Sequence, residues 1–174
     1  MTTIKKFKWF WAWQDEKEEA WLHEMATQGL HLQTVGAPGS YTFEVGAPRN
    51  DTYRMDFITE RKDYENYLQL FKDAGWEHLG ETGGWQYFRT KSEGQTIPEI
   101  YTDQDSKAQK YQRLITILVV FLPVFITLTT RPIESSSAFV GLYFAGKMLG
   151  TFLMFLYVVA IIKIFQRIQQ LKRK

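Results

Sequence analysis

The sequence contains no cysteine, which excludes disulfide frameworks, zinc–thiolate sites and thiol nucleophiles. Its three histidines, His23, His31 and His78, do not follow the HExxH spacing of zinc proteases. The GxSxG, GxGxxG and P-loop patterns are also absent. We therefore expect no metal, no cofactor and no catalytic residues, and an unrecognised carboxylate pair is the one enzymatic alternative that stays open.

Acidic residues are scarce near the end of the chain. Residues 114–174 contain seven Lys and Arg and one acid, whereas residues 1–113 contain 14 Lys and Arg and 18 Asp and Glu. A nucleic-acid-binding domain usually carries a basic patch, so we expect no nucleic acid as partner. The basic excess flanks apolar stretches, which is typical of contact with the anionic inner leaflet of a lipid bilayer.

Two apolar stretches follow one another in the last third of the chain. Residues 114–130 carry no charge, and about 17 helical residues are the lower limit for crossing a bilayer core. Pro123 lies near the middle of this segment and is expected to kink it. The second segment, residues 139–165, contains Lys147 and the spacing Gly146-xxx-Gly150, which permits close helix contact. Its helix begins either near Phe139, the alternative we favour, or near Met148.

The flanking charges predict an orientation. Lys107, Lys110 and Arg113 precede the first segment, five basic residues occupy positions 163–174, and the connecting loop offers only Arg131. Because Lys and Arg concentrate on the cytoplasmic side, we expect two spans in the cell membrane with both termini in the cytoplasm. The residues after Lys163 are expected to continue as a basic helix along the inner leaflet.

Residues 1–92 are expected to form a cytoplasmic α+β domain, residues 93–112 a polar linker, and residues 113–174 the transmembrane hairpin with its basic tail. The sequence also permits the linker to be helical from about Asp105 onward. Alternating and helical patterns predict the elements of the domain in the following order: a strand at 5–13 with Trp9, Trp11 and Trp13 on one side, a helix capped by Asp15 and ending at Gly29, strands at 31–35, 41–45 and 53–57, a helix from Asp63 to Gly75, and a hairpin of 76–80 and 85–89 around Gly83-Gly84.

The domain contains an internal repeat at an offset of 46 residues. Glu19-Ala20-Trp21-Leu22, with Gly29 after it, parallels Glu65-Asn66-Tyr67-Leu68, with Gly75 after it. An aromatic strand follows in each half. We therefore predict two duplicated βαββ units that form one antiparallel sheet with both helices on one face.

Several motifs together resemble a known family: Lys6-Phe7-Lys8-Trp9-Phe10, the run from Glu18 to Ala26, Tyr53-Arg54-Met55-Asp56-Phe57, Asp73-Ala74-Gly75-Trp76-Glu77 and Trp85-Gln86-Tyr87-Phe88-Arg89. As a set they are similar to the bacterial domain-of-unknown-function family two-eight-one-two, over about residues 4–90, with similar membrane segments behind. Members are often encoded beside PadR-like transcription regulators and have no established activity. The resemblance implies domain limits and a bacterial origin, and no catalytic residues.

Aromatic residues are abundant, with thirteen Phe, nine Tyr and six Trp. Most are expected in the core, and the others are expected to line a cleft between the two halves. By topology alone, duplicated βαββ units resemble the effector-binding domains of multidrug-responsive regulators, which hold cationic aromatic ligands with aromatic faces and a carboxylate. On this analogy we predict a small aromatic or cationic ligand. The predicted ligand-binding residues are Trp11, Tyr41, Glu44, Arg54 and Asp56.

Two functions are consistent with these patterns. The first is a non-catalytic, membrane-anchored cytoplasmic sensor or regulatory binding module. The second is an accessory subunit of a membrane transporter or envelope-stress complex, in which the hairpin makes the essential contact. A protein partner, or a homodimer through the helices or a sheet edge, fits either function.

The absence of cysteine makes the predicted orientation directly measurable. Ser136→Cys lies in the predicted outer loop and Lys172→Cys in the predicted inner tail. In intact cells, a membrane-impermeant maleimide should label only Ser136→Cys, while both variants should react after lysis. Labelling of Lys172→Cys in intact cells would contradict a cytoplasmic carboxyl terminus.

Overall fold

The structure is a computed structural model, and it describes residues 2–36, 39–59, 61–91, 104–130 and 140–173. The chain divides into two compact parts, residues 1–106 and 107–174, and each is described by itself. The elements are β1 (Thr3–Phe7), α1 (Asp15–Thr27), β2 (Leu30–Val35), β3 (Ser40–Val45), β4 (Asp51–Phe57), α2 (Tyr64–Asp73), β5 (Glu77–Thr82), β6 (Trp85–Lys91), α3 (Gln104–Thr130) and α4 (Val140–Lys172).

The N-terminal part consists of two βαββ repeats. In the first repeat (residues 3–45) the strands pair antiparallel in the order β1-β3-β2, and in the second repeat (residues 51–91) they pair in the order β4-β6-β5. The last strand of each repeat is therefore the central strand of its sheet. This arrangement confirms the α+β class and the duplication.

The strands form two three-stranded sheets rather than one shared sheet. The edge strands β2 and β5 are in contact, and the Thr82 hydroxyl donates a hydrogen bond to the carbonyl of Gly36 across this seam, at 2.9 Å. The repeats are thus joined along β2 and β5 by packing and side-chain bonds. No backbone ladder joins these two strands in the part of the chain that the structure describes.

The two helices do not pack on one common face, as the sequence predicted, but on opposite faces of the second sheet. Neighbouring residues of a strand point to opposite faces of the sheet. On β6, Tyr87 lies in the cluster that contains Trp21 and Leu22 of α1, whereas Phe88 packs with Phe71 of α2. The second sheet therefore lies between two packed layers, and six of the seven residues of β4 are buried accordingly.

Helix α1 covers one face of the first sheet, and on the other face His31 is buried by the loop with Ala47 and Arg49 while the remaining described residues are at least partly exposed. Along β3, Tyr41 and Phe43 are buried in the core with α1, while the alternate residues Thr42 and Glu44 are partly exposed. Every residue of the edge strand β1 is at least partly exposed. The first repeat consequently leaves most of the outer face of its sheet and its β1 edge uncovered within the N-terminal part.

The first strand is shorter than predicted. β1 pairs with β3 only from Thr3 to Phe7, because β3 begins at Ser40, the partner of Phe7. Without a strand to pair with, residues 8–14 form a loop, and the predicted strand as far as Trp13 is wrong. Asp15 is also not the cap of α1: it is the first helical residue, and Gln14 occupies the capping position.

The turn after α1 requires a glycine. Gly29 has a φ of +80°, and a Cβ at this position would lie 2.4 Å from the carbonyl oxygen of Gly46. A residue with a side chain would therefore be strained and would clash with the backbone. This confirms Gly29 as the end of the helix and shows why β2 can begin at Leu30.

The second part is an antiparallel pair of helices. The Tyr157 hydroxyl of α4 donates to the carbonyl of Leu118 in α3, and a Cβ on Gly150 would lie 3.4 Å from the methyl group of Thr129. Segments Lys107–Thr127 and Gly141–Lys172 are long and apolar enough to cross a membrane.

The helix limits resolve two alternatives left open by the sequence. α4 begins at Val140 and includes Lys147, so the longer second helix is confirmed. α3 begins at Gln104, which makes residues 104–112 of the expected linker helical. The rest of that linker and the loop at 131–139 lie outside the described residues.

The core of the first repeat yields a stability prediction. Leu22 is fully buried between the helix and both sheets, so Leu22→Ala should lower the free energy of unfolding by about 2–5 kcal/mol. Leu70→Ala is the matched control because Leu70 is 68% exposed, and its effect should stay within about 0.5 kcal/mol. Tryptophan fluorescence during denaturation measures both, because all six tryptophans lie before residue 92. Equal effects of the two variants would contradict the assigned core.

Candidate functional site

A buried carboxylate joins the two repeats. Glu18 lies on α1 and is only 6% exposed. Its Oε1 atom accepts a hydrogen bond from Tyr41 of β3 at 2.7 Å and another from Tyr87 of β6 at 2.8 Å. One oxygen therefore links the central strand of the first sheet to the central strand of the second.

In the described residues, Glu18 forms no ion pair with Lys, Arg or His, while Asp15 lies close enough to act on it electrostatically. Burial raises the pKa of Glu18, and the two tyrosine hydrogen bonds oppose this rise in part. Burial, together with the neighbouring Glu18, also raises the pKa values of Tyr41 and Tyr87, so both tyrosines stay protonated donors.

Aromatic rings adjoin this carboxylate. Trp21 follows Glu18 by three residues on α1, which places both on one side of the helix, and its ring meets the Tyr41 ring edge-on with 4.9 Å between centroids. The ammonium group of Lys8 lies 5.0 Å from the Trp21 ring and 5.3 Å from the Phe10 ring. These faces thus already accept a cation, supplied by the chain itself.

The neighbouring residues on α1 close the outer edge of β4. Glu19 accepts a hydrogen bond from the backbone N–H of Met55 at 2.8 Å, and the His23 ring donates to the carbonyl of Asp51, also at 2.8 Å. An unpaired strand edge is otherwise open to other strands. Glu19 and His23 are therefore structural side chains, which distinguishes them from Glu18.

Arg54 and Asp56, both predicted ligand-binding residues, lie on β4 and form contacts along this strand. The Arg54 guanidinium donates to the carbonyl of Tyr53 at 3.0 Å and lies 3.6 Å from Glu19. Asp56 accepts from the backbone N–H of Phe57 at 2.6 Å and from the Tyr67 hydroxyl at 2.9 Å. Their contacts give both residues a role in holding β4 against the helices.

The other three predicted residues lie in different places. Tyr41 is buried beside Glu18. Glu44 is three positions further on the same strand and so points to the opposite, outer face of the sheet. Trp11 lies in the loop after β1 and is 43% exposed. The structure therefore brings only Tyr41 of the five to the Glu18 carboxylate.

Glu18 is the residue that the sequence interpretation missed, because it is absent from the five predicted ligand-binding residues. A signal was available in the helical spacing. Glu18 precedes Trp21 by three residues and Leu22 by four, so it belongs to the apolar face of the helix.

An exposed aromatic surface lies on the other side of the first repeat. We call Phe7, Trp9, Trp11 and Trp13 the tryptophan surface. The rings of Trp11 and Trp13 are stacked with centroids 5.3 Å apart, and Trp9 meets Trp11 edge-on at 5.9 Å. Phe7 is 74% exposed and Trp9 53% exposed. The three tryptophans therefore cluster as the alternating pattern predicted, although their backbone is a loop.

The raised pKa of Glu18 predicts a pH-dependent stability. The folded protein holds this proton more tightly than the unfolded chain does, so the free energy of unfolding should fall as the pH rises above 4.5, the ordinary pKa of glutamate. Glu18→Gln should remove this part of the pH dependence, as measured by tryptophan-detected unfolding of the full chain between pH 4 and 8. Glu16→Gln, at an exposed position of the same turn, should leave it unchanged. Parallel pH profiles of wild type and Glu18→Gln would contradict the assignment.

The comparison with known proteins identifies a family. No curated protein and no solved structure matches the chain. The profile of the family described as "Protein of unknown function (DUF2812)" matches residues 14–122. The match includes α1 with Glu18, both repeats from that helix onward and most of α3. The chain belongs to this family of proteins of unknown function.

Proposed function

We propose that this protein is a membrane-anchored sensor whose cytoplasmic domain binds a cationic aromatic ligand beside Glu18, without catalysing a reaction. The observation that supports the proposal is the buried Glu18 carboxylate, which bridges both repeats and lacks a cationic partner among the described residues. Buried carboxylates are normally paired or protonated, because ionisation away from water is unfavourable.

A cationic ligand would satisfy this carboxylate. Its charge would favour the ionised form of Glu18 while the tyrosine hydroxyls keep their bonds to Oε1. Its aromatic portion would pack on Trp21, where the Lys8 ammonium lies now. Lys8 is in the loop after β1, so a ligand that displaces its ammonium can move this loop without unfolding a strand.

Binding at this position also provides a route to regulation. Glu18 contacts both central strands, so a ligand that changes its hydrogen bonds acts on both repeats at once. A two-state element that a ligand biases is the physical requirement for a sensor. The readout would be a protein partner at the inner membrane surface, or a second copy of the chain.

The membrane location is supported by α3 and α4. Both are long and apolar enough to span a bilayer, and their basic flanks favour an orientation with both ends in the cytoplasm. The ligand site would then face the cytosol, and the hairpin would serve as its anchor.

A second function is favoured by Lys147, which lies inside the apolar helix α4. Ionisable residues within membrane helices commonly mark contacts or transport pathways. An accessory subunit of a transporter or envelope-stress complex would require these native helices, whereas a ligand sensor requires only an anchor.

The ligand site can be tested on the full chain in nanodiscs. Tetraphenylphosphonium serves as the aromatic cation and triphenylphosphine oxide as its neutral analogue, with tryptophan fluorescence as the signal. Only the cation should give a saturable change. Glu18→Gln should weaken its binding roughly 30-fold, since a bond to a charged partner is worth about 2 kcal/mol. Lys8→Gln should strengthen binding, because it removes the competing ammonium.

The controls are Glu16→Gln and Lys17→Gln, which change the same residue types at exposed positions of α1. Both should bind the cation as wild type does. Empty nanodiscs correct for partition of the cation into lipid. Unchanged affinity in Glu18→Gln, or equal responses to the cation and its neutral analogue, would exclude the site.

A further inference from the structure

The exposed apolar side chains of the N-terminal part are concentrated in one segment. In the described residues of this part, the large apolar side chains with high exposure are Ile4, Phe7, Trp9, Trp11, Val45 and Leu70. Four of the six lie between residues 4 and 11. A contiguous exposed aromatic segment of this kind marks an interaction surface.

The charge of this segment is opposite to that of the rest of the domain. Residues 1–13 contain three lysines and no acid, although residues 1–113 as a whole carry more acidic than basic residues. Lys8 is engaged with the Phe10 and Trp21 rings. Lys5 and Lys6 form no ion pair with the described residues, and Lys5 lies two positions from Phe7 on the same face of β1.

We propose that β1 and the tryptophan surface dock the N-terminal domain on the anionic surface of the bilayer. At the level of the lipid headgroups, Trp and Phe rings bury their apolar surface, and the Trp ring also keeps its indole N–H near water. Lys5, on the face of Phe7, would face the headgroup phosphates, and Lys6, on the opposite face of this edge strand, would lie within a Debye length of them. The stacked tryptophan rings are already held against one another, so docking costs little side-chain entropy.

The chain itself favours this partner over a second copy. Two β1 edges placed side by side would bring Lys5 and Lys6 of one copy close to those of the other, and edge lysines oppose such pairing. The proposal rests on the membrane anchoring described above. Residues 92–103 join Lys91 to Gln104 and cannot span more than about 45 Å. A short connection to a membrane-anchored helix gives the domain a high effective concentration at the lipid surface. A weak contact with the lipid is therefore sufficient for docking.

The composition of the protein permits a direct test. All six tryptophans belong to the N-terminal part and none to the apolar helices, so tryptophan quenching by brominated lipids reports on the domain alone. The full chain is placed in nanodiscs that contain brominated phosphatidylcholine, with or without phosphatidylglycerol. The combined variant Phe7→Ser, Lys5→Gln, Lys6→Gln leaves every tryptophan in place. Its matched control is Leu70→Ser, Lys62→Gln, Lys72→Gln, which changes the same kinds of exposed residue elsewhere.

We expect stronger quenching in the anionic discs for wild type and for the control. In the combined variant the ratio of docked to free domain should fall at least 25-fold. Each of the two lysines removed changes this ratio about fivefold at an anionic surface. High salt should weaken docking of the wild type. Quenching that is independent of phosphatidylglycerol, or equal in the two variants, would overturn the proposal. So would quenching that appears only in discs holding two copies.

A failure of membrane anchoring can be distinguished from a failure of docking. A chain that carbonate washing removes from proteoliposomes is not inserted, and both the anchoring and the docking are then wrong. A chain that resists washing but shows no quenching is anchored without docking. This result overturns the proposed docking and leaves the membrane anchoring intact.

Discussion

The hydrogen bonds from two tyrosines to the buried Glu18 carboxylate are the interaction on which the arrangement of the repeats depends. Tyr41 and Tyr87 occupy the central strands of different sheets, so their common acceptor connects the two sheets through α1. The carboxylate has left water without gaining a cation among the described residues. Two donors compensate only part of that cost, which is why burial still raises the pKa of Glu18. Under the proposal made above, a bound cation would offset this residual cost.

The two repeats share a topology but bury their sheets differently. Helix α1 covers the inner face of the first sheet and also packs against the second, whereas α2 covers the remaining face of the second sheet. The second repeat is therefore enclosed, and the first keeps a mostly open face and an open edge. The first repeat therefore contains both a buried polar centre, around Glu18, and an exposed aromatic surface, around Trp11.

The charge distribution relates these two features to the apolar helices. The domain is mildly acidic except in its first strand, and the helical part is basic at its ends. An anionic bilayer would attract both basic regions. A domain that docks through β1 would place the loop with Lys8 next to lipid, and Lys8 is also the residue whose ammonium lies on Trp21. Ligand binding and membrane docking would then act through one loop.

The sequence by itself determined most of the elements, the duplication and the clustering of the tryptophans. These features depend on local periodicity and on turn residues such as Gly29, whose conformation few other residues adopt. Helical spacing places Glu18 on the apolar face of α1, but only the tertiary structure decided that its carboxylate joins two strands, because Tyr41 and Tyr87 lie far from it in the chain. Glu18 and Glu16 are indistinguishable by composition, yet one joins two sheets and the other faces solvent. The end of β1 at Phe7 and the split into two sheets were likewise set by the position of partner strands, which local sequence does not encode.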